Sequence, residues 1–335
     1  VGTPQYIARW DLDKTYLRTD FDTLRDLVRT AIERPDQKRT VPGAAVLMRE
    51  IGDAGAEVHI LSGSPEQLRR RLEAKLRLDC VRWASLTLKP NLQNLLRLRW
   101  RALKSQVGYK LPVLLRRRAE LGPQRDEGGR LVPEVLLGDD AEADAFVYSL
   151  YADVCSGRVD ADTLARVMRD ARCYDDDVRD AVRFASYLER GEVVARILIH
   201  LERQSSPAAF ERYGGRVVPF YNYVQAAFVL HEDGRLSAAG ALRVAQAMAV
   251  RHHFDGGALA RSYLDLAHRG LLSGRGAADL ARTYGDWVGA TRHVGGASEL
   301  GAMVRELELA APDLGGPPSR SPAPPLAYLA GAPAR

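Results

Sequence analysis

Three short apolar segments, each ending in polar residues, govern how this chain can fold. "YIARWDLD" (Tyr6 to Asp13) ends on two aspartates, "EVHILS" (Glu57 to Ser62) on a serine, and "PEVLLGDD" (Pro133 to Asp140) on an acid pair. Between them, "DFDTLRDLVRTAIE" (Asp20 to Glu33), "VPGAAVLMREI", the basic stretch from Pro65 to Leu78 and "YKLPVLLRRRAEL" have helix-like patterning, and "VRWASLTLK" adds a short strand. This alternation predicts an α/β unit over residues 1–155, with a mostly parallel sheet and helices on both faces. Ligands of open parallel sheets bind at the carboxyl ends of the strands, so the three polar endings are expected on one edge.

The texture changes near Gly157. "DADTLARVMRDA", "YDDDVRDAVRFASYLERG", "EVVARILIHLERQ", "VPFYNYVQAAFVLHEDG", "LSAAGALRVAQAMAVRHH", "DGGALARSYLDLAHRG" and "GAADLARTYGDWV" all carry apolar residues three and four apart. They predict an all-helical accessory domain over 156–311. The segment 312–335 is rich in Pro, Gly and Ala and is expected to be disordered.

A chain of 335 residues can hold two domains, and 46% apolar with 27% charged residues is the balance of a globular protein. No apolar run approaches the roughly 18 residues of a membrane span, and the opening residues lack a signal pattern, so the cytoplasm is the expected compartment. Cys80, Cys155 and Cys173 are odd in number and have no paired metal-type spacing, which argues against a disulfide framework or a zinc site and predicts buried thiols. His252 and His253 are adjacent and cannot form an i, i+4 metal pair, while His59 reads as a satisfied sheet histidine.

Charge is distributed unevenly. Glu66 to Arg125 holds 16 Lys and Arg against 4 acids, a local +12 in a chain of net +5. Such a segment suits an anionic partner, whether a phosphorylated substrate, an acidic lipid surface or nucleic acid, although solvated helix faces account for most individual residues. Within it, "NLQNLLRLRWRALK" is either a peripheral contact for an acidic membrane surface or, more commonly for such stretches, a core-facing element with charged flanks.

Two carboxylates as close as Asp11 and Asp13 call for a cation, a reacting group or open water between them. With Ser62, Lys110 and the acids after "VLLG", they make a kit for phosphoryl transfer through a covalent aspartyl intermediate. "DLDKT", "LSGSP", Lys110 and "GDDAEAD", in that order, resemble the four motifs of the haloacid dehalogenase superfamily of phosphohydrolases. "VPGAAVLMREI", "HILSGSPEQL" and "LLGDDAEADAFVY" look most like the conserved phosphatase-domain family that includes the yeast actin-patch phosphatidate phosphatase.

The resemblance covers roughly residues 5–155 and implies a Rossmann-like parallel sheet and a Mg²⁺-dependent phosphomonoester hydrolase. Asp11 would be the nucleophile and Asp13 the acid and base. Thr15, Ser62, Gly63 and Lys110 would bind phosphate, with Lys104 a rival to Lys110. Mg²⁺ would be held by Asp11, the Asp13 carbonyl, Asp139, and Asp140 or Asp144. Lys14 stands where this family often has another acid, and no extra lipid-binding β domain accompanies the motifs, so lipid hydrolysis does not follow automatically. Two other readings compete: a phosphate-sensing scaffold whose helical half binds an unknown protein, and a nucleic-acid end phosphatase. The second is disfavoured because aromatics are not interleaved among the basic residues in a nucleic-acid-binding motif.

Overall fold

The computed structural model describes residues 3–17, 39–89, 102–290, 295–316 and 318–329. The expected helix Asp20 to Glu33 and most of "NLQNLLRLRWRALK" lie outside the described residues, as does the side chain of Lys104.

Six strands form one sheet: β1 (Tyr6–Asp11), β2 (Ala56–Pro65), β3 (Ser85–Lys89), β4 (Glu134–Asp139), β5 (Val194–His200) and β6 (Val217–Phe220). Their order is β3-β2-β1-β4-β5-β6 and every pairing is parallel. This is the doubly wound order, in which the chain moves outward from β1 in one direction and then the other. The reversal falls between β1 and β4, which pair through Ile7 to Glu134 and Trp10 to Leu137. Both strands are buried along their whole length, as strands covered on two faces must be.

Helices cover both faces. On one, α1 (Ala44–Asp53) and α2 (Arg69–Leu78) share an apolar cluster with Tyr6, Ala8 and Trp10 of β1. On the other, α3 (Ala102–Leu121), α4 (Asp144–Ser156), α5 (Ala161–Asp170) and α6 (Asp175–Ser186) supply a cluster with Leu136, Ile197 and Ile199. The chain then returns to the first face with α7 (Tyr223–Glu232), α8 (Ala238–His252), α9 (Gly256–His268), α10 (Gly274–Ala290) and α11 (Ala297–Ala310). Side-chain caps start several of these helices: Asp160 accepts from Thr163 N at 2.8 Å, Ser237 from Gly240 N at 3.1 Å and Asp255 from Ala258 N at 2.6 Å.

Three expectations need correction. The segment 156–311 is not all-helical, because "VARILIH" and "VVPF" are β5 and β6 and extend the sheet. A short apolar run is ambiguous by periodicity, and the β-branched Val194, Ile197 and Ile199 favour the pleated, doubly covered surface that β4 offers. The helix read from "YKLPVLLRRRAEL", with Lys110 at its start and Pro112 near its first turn, is α3 and already begins at Ala102, so Pro112 lies in its interior and Lys110 in its middle. The C-terminal segment, expected to be disordered, is packed where described: Tyr328 donates to Asp153 Oδ2 at 2.8 Å and stacks on Tyr213 with ring centroids 5.4 Å apart. Gly214, at φ +74°, lets Ala323 approach so closely that a Cβ would stand 2.3 Å from its amide nitrogen. Two aromatic anchors and a backbone crossing thus hold a segment that its composition marks as loose.

Among the described residues no helix is long and apolar enough to cross a membrane. Cys155 and Cys173 are buried as expected, whereas Cys80 is exposed in the left-handed turn after α2.

Candidate active site

Asp11 ends β1, Ser62 lies near the end of β2 opposite it, and Asp139 ends β4 on the other side. Parallel pairing therefore delivers all three to the crevice where the sheet reverses direction. After Asp11 the chain turns tightly. The Thr15 amide donates to the Asp13 carbonyl at 2.7 Å, and the Tyr16 amide donates to the Leu12 carbonyl at 3.0 Å. Lys14 adopts φ +58° to make the turn, a left-handed conformation that bulky residues take only where surrounding contacts hold it. The support comes from α7: Tyr223 donates its hydroxyl to the Thr15 carbonyl and stacks on Trp10 at 5.8 Å.

Asp13 is buried and receives the Ser62 hydroxyl at 2.7 Å and the Ser64 hydroxyl at 3.1 Å. Burial raises its carboxyl above the usual range, opposed by the bond from Ser62, so it is suited to carrying a proton. Ser62 also accepts the Ser64 amide at 3.0 Å. It does not cap the following helix, whose turn begins behind Pro65 without a side-chain cap. Gly63 stands between them, and a Cβ there would meet only Asp13 Oδ2, at 3.9 Å.

Lys110 is the positive centre. Fully buried in mid α3, its ammonium lies 3.0 Å from Asp11 Oδ1, 2.7 Å from Glu142 Oε2, and in contact with Asp144 Oδ1. Burial works against its charge, but Asp11, Asp144 and Glu142 overcome it and hold the ammonium protonated well beyond its ordinary range. Asp11 Oδ1 lacks hydrogen-bond geometry to any donor and is fully enclosed. Burial lifts the Asp11 carboxyl well up, Lys110 offsets this in part, and Asp144 and Glu142 add repulsion.

Asp139 Oδ1 accepts the amides of Ala141 at 2.7 Å and Glu142 at 2.9 Å, while its Oδ2 accepts the Thr15 hydroxyl at 3.1 Å. Thr15, expected to touch phosphate, thus ties the first motif to the last. Asp144 accepts the Asp139 amide at 3.2 Å. The absence of a side chain at Gly138 makes this approach possible, since a Cβ there would stand 2.3 Å from Asp144 Oδ2. Carboxylate oxygens of Asp11, Asp139 and Asp144 lie within 4.8 Å of one another.

Asp140, an expected metal ligand, is not brought into this cluster. Its carboxylate accepts the amides of Arg203 at 2.8 Å and Ser205 at 3.1 Å, fixing the loop after β5. Neighbouring side chains at a strand end leave on opposite sides, so only one of the pair faces the crevice. The Asp13 carboxylate is likewise outside the three-carboxylate group and faces the two serines.

Four site residues were not singled out by sequence reasoning. Glu142 sits inside "GDDAEAD", where only the aspartates matched an expected role. It is only half-buried; desolvation works against its charge, but Lys110, Lys89 and Lys14 hold its carboxyl below the ordinary range. Lys89 ends β3 and was one of sixteen cations in the basic stretch. Ser64 sits inside "LSGSP", where only Ser62 and Gly63 were given roles, and Tyr223 lies more than 200 residues from the loop it supports, with no local signal. His59 is satisfied as expected, with Ser85 and Glu57 each at 2.8 Å.

The three buried carboxylates Asp11, Asp139 and Asp144 outnumber the one ammonium buried against them, that of Lys110, and such a surplus of negative charge calls for protons or a hard cation. An enclosed Asp11 oxygen beside two more carboxylates is an all-oxygen donor set, which fits Mg²⁺. No family model matches the chain, and a search of curated proteins finds no match to it.

Proposed function

We propose that this chain is a Mg²⁺-dependent phosphomonoester hydrolase of the haloacid dehalogenase type, with Asp11 as nucleophile. One observation carries the reading: Asp11, Asp13, Ser62, Lys110, Asp139 and Asp144, drawn from positions spread over more than 130 residues, meet at the crevice where the parallel sheet reverses. A phosphate-sensing scaffold would need neither a nucleophile held against a buried ammonium nor a second carboxylate positioned to carry a proton.

In the first step an Asp11 oxygen attacks phosphorus while the bond from phosphorus to the ester oxygen breaks. Asp13 gives its proton to that oxygen, and the alcohol leaves. In the second step Asp13 takes a proton from water as the water oxygen attacks phosphorus. The aspartyl phosphate opens to inorganic phosphate and the Asp11 carboxylate. Ser62 and Ser64 orient Asp13, Gly63 leaves room for the phosphoryl oxygens beside it, and Lys110 balances charge at Asp11. Asp11, Asp139 and Asp144, with the Asp13 carbonyl, would hold Mg²⁺. When bound, the ion supplies charge neutralisation between attacking carboxylate and phosphoryl group.

The test is phosphate release from a panel of phosphomonoesters, phosphatidate among them, with and without Mg²⁺, for wild type and Asp11→Asn. Metal-dependent turnover abolished by the substitution is expected. A folded wild type without turnover across the panel would return the chain to the scaffold reading.

A further inference from the structure

Two lysines flank Tyr109, and their circumstances differ. Lys110 is saturated by Asp11, Glu142 and Asp144. Lys89 is only 7% exposed, yet no carboxylate forms an ion pair with it among the described residues. Its ammonium lies 4.6 Å from the centroid of the Tyr109 ring. That ring is fixed by its hydroxyl, which donates to the Ser62 carbonyl at 3.0 Å. Lys89 also pairs in register with Pro65, at the end of the segment that carries Ser62 and Ser64. The charges that act on it are those of the site: Glu142, Lys110, Asp13 and Asp11.

A buried ammonium that packs on an aromatic face and forms no ion pair with a carboxylate among the described residues is costly unless an anion joins it. Lys110 has little charge to spare for that anion, since three carboxylates already surround it. The strands also separate the two functions. Asp11 is on β1, Ser62 on β2 and Lys89 on β3, two residues beyond Thr87, which is level with Asp11, so two strand spacings of about 4.8 Å and two residues of about 3.3 Å rise put its backbone about 12 Å from the nucleophile's. Lys110 lies 3.0 Å from Asp11 whereas Lys89 forms no ion pair with it, so Lys89 stands outside the nucleophile's immediate contacts yet near enough to the site's charges to meet a group a few bonds from the reacting phosphorus.

We infer that Lys89, on the Tyr109 ring, forms a second anion subsite, and that the substrate is a small phosphomonoester bearing another anionic group, a carboxylate or a second phosphate, close to its ester phosphate. The inference rests on the phosphatase reading and narrows its substrate class.

A matched pair of substrates tests it: phosphoglycolate, which carries a carboxylate, against ethyl phosphate, which does not, assayed with Mg²⁺ on the full chain. One charge-assisted contact corresponds to a preference of about tenfold to a hundredfold in kcat/KM for phosphoglycolate in the wild type. Lys89→Met should bring that ratio close to one, and Lys89→Arg should restore part of it. Because only the ratio within each variant is read, general damage to folding does not imitate the result. Equal losses on both substrates would overturn the inference and assign Lys89 to the reacting phosphoryl group. If the wild type turns over neither compound, the phosphatase reading fails separately, and calorimetry decides the subsite. Binding of phosphoglycolate that is tighter than that of ethyl phosphate, and weakened by Lys89→Met, sustains it; equal binding of the two removes it.

Discussion

Replacing Glu134 by Gln tests the framework that carries the site. Glu134 opens β4, is fully buried, and receives Arg9 through Nε at 2.7 Å and Nη2 at 2.9 Å. Arg118 also pairs with it, and the Tyr151 hydroxyl donates at 2.8 Å. Burial alone would raise this carboxyl, yet Arg9 and then Arg118 pull it from the ordinary 4.5 to about 2. At about 1.4 kcal/mol per tenfold change in proton affinity, that depression contributes on the order of 3 kcal/mol to folding at neutral pH. Leaving two guanidiniums buried without their carboxylate carries a similar cost, about 3 to 5 kcal/mol. A depressed carboxyl stabilises the fold fully above its unfolded value and loses that contribution as pH falls towards the folded one. The Gln variant should therefore be less stable in urea by about 3 kcal/mol at pH 7, with the deficit shrinking between pH 4.5 and 2. A deficit below about 1 kcal/mol at pH 7, or one that does not change with acid, would refute the reasoning.

Other outcomes follow from the same geometry. Gly138→Ala should sharply lower phosphatase turnover, because its Cβ would displace Asp144, and should cost about 1 to 3 kcal/mol in urea unfolding. Mg²⁺ at a hundredfold above its dissociation constant should stabilise the wild type by about 2.7 kcal/mol and leave Asp139→Asn almost unmoved, as thermal unfolding with and without the ion would reveal. Tyr328→Phe should lose about 1 kcal/mol with its bond to Asp153, while Tyr328→Ala should lose about 3 to 5 kcal/mol and expose the C-terminal segment to protease at unchanged kcat.

How much of this was legible depended on whether the determining contacts were local. The strand endings at Asp11, Ser62 and Asp139 could be placed because apolar runs, helical spacing and the parallel-sheet rule act over a few dozen residues. Strands β5 and β6 read as helix because Val194 to His200 carries apolar residues at helical as well as strand spacing, and pairing with β4 decides its conformation. Asp140 and Asp144 could not be separated in sequence. Their difference lies in which amides each accepts, Arg203 and Ser205 for one and Asp139 for the other. Lys89 gave no signal among its basic neighbours, because what sets it apart is the nearness of Tyr109 and, among the described residues, the absence of an ion-paired carboxylate.

The hydroxyl of Tyr223 on the Thr15 carbonyl has a consequence for the order in which the protein is made. Every residue assigned to the chemistry, from Asp11 to Asp144, is synthesised before the tyrosine that secures the first turn, and before β5 and β6 complete the sheet. Domains fold as units during synthesis at about 5 to 20 residues per second. A nascent chain halted at Ser156 would thus display all the reactive groups without the support that sets their geometry. On the proposed phosphatase reading, catalytic competence arrives with the second half of the chain.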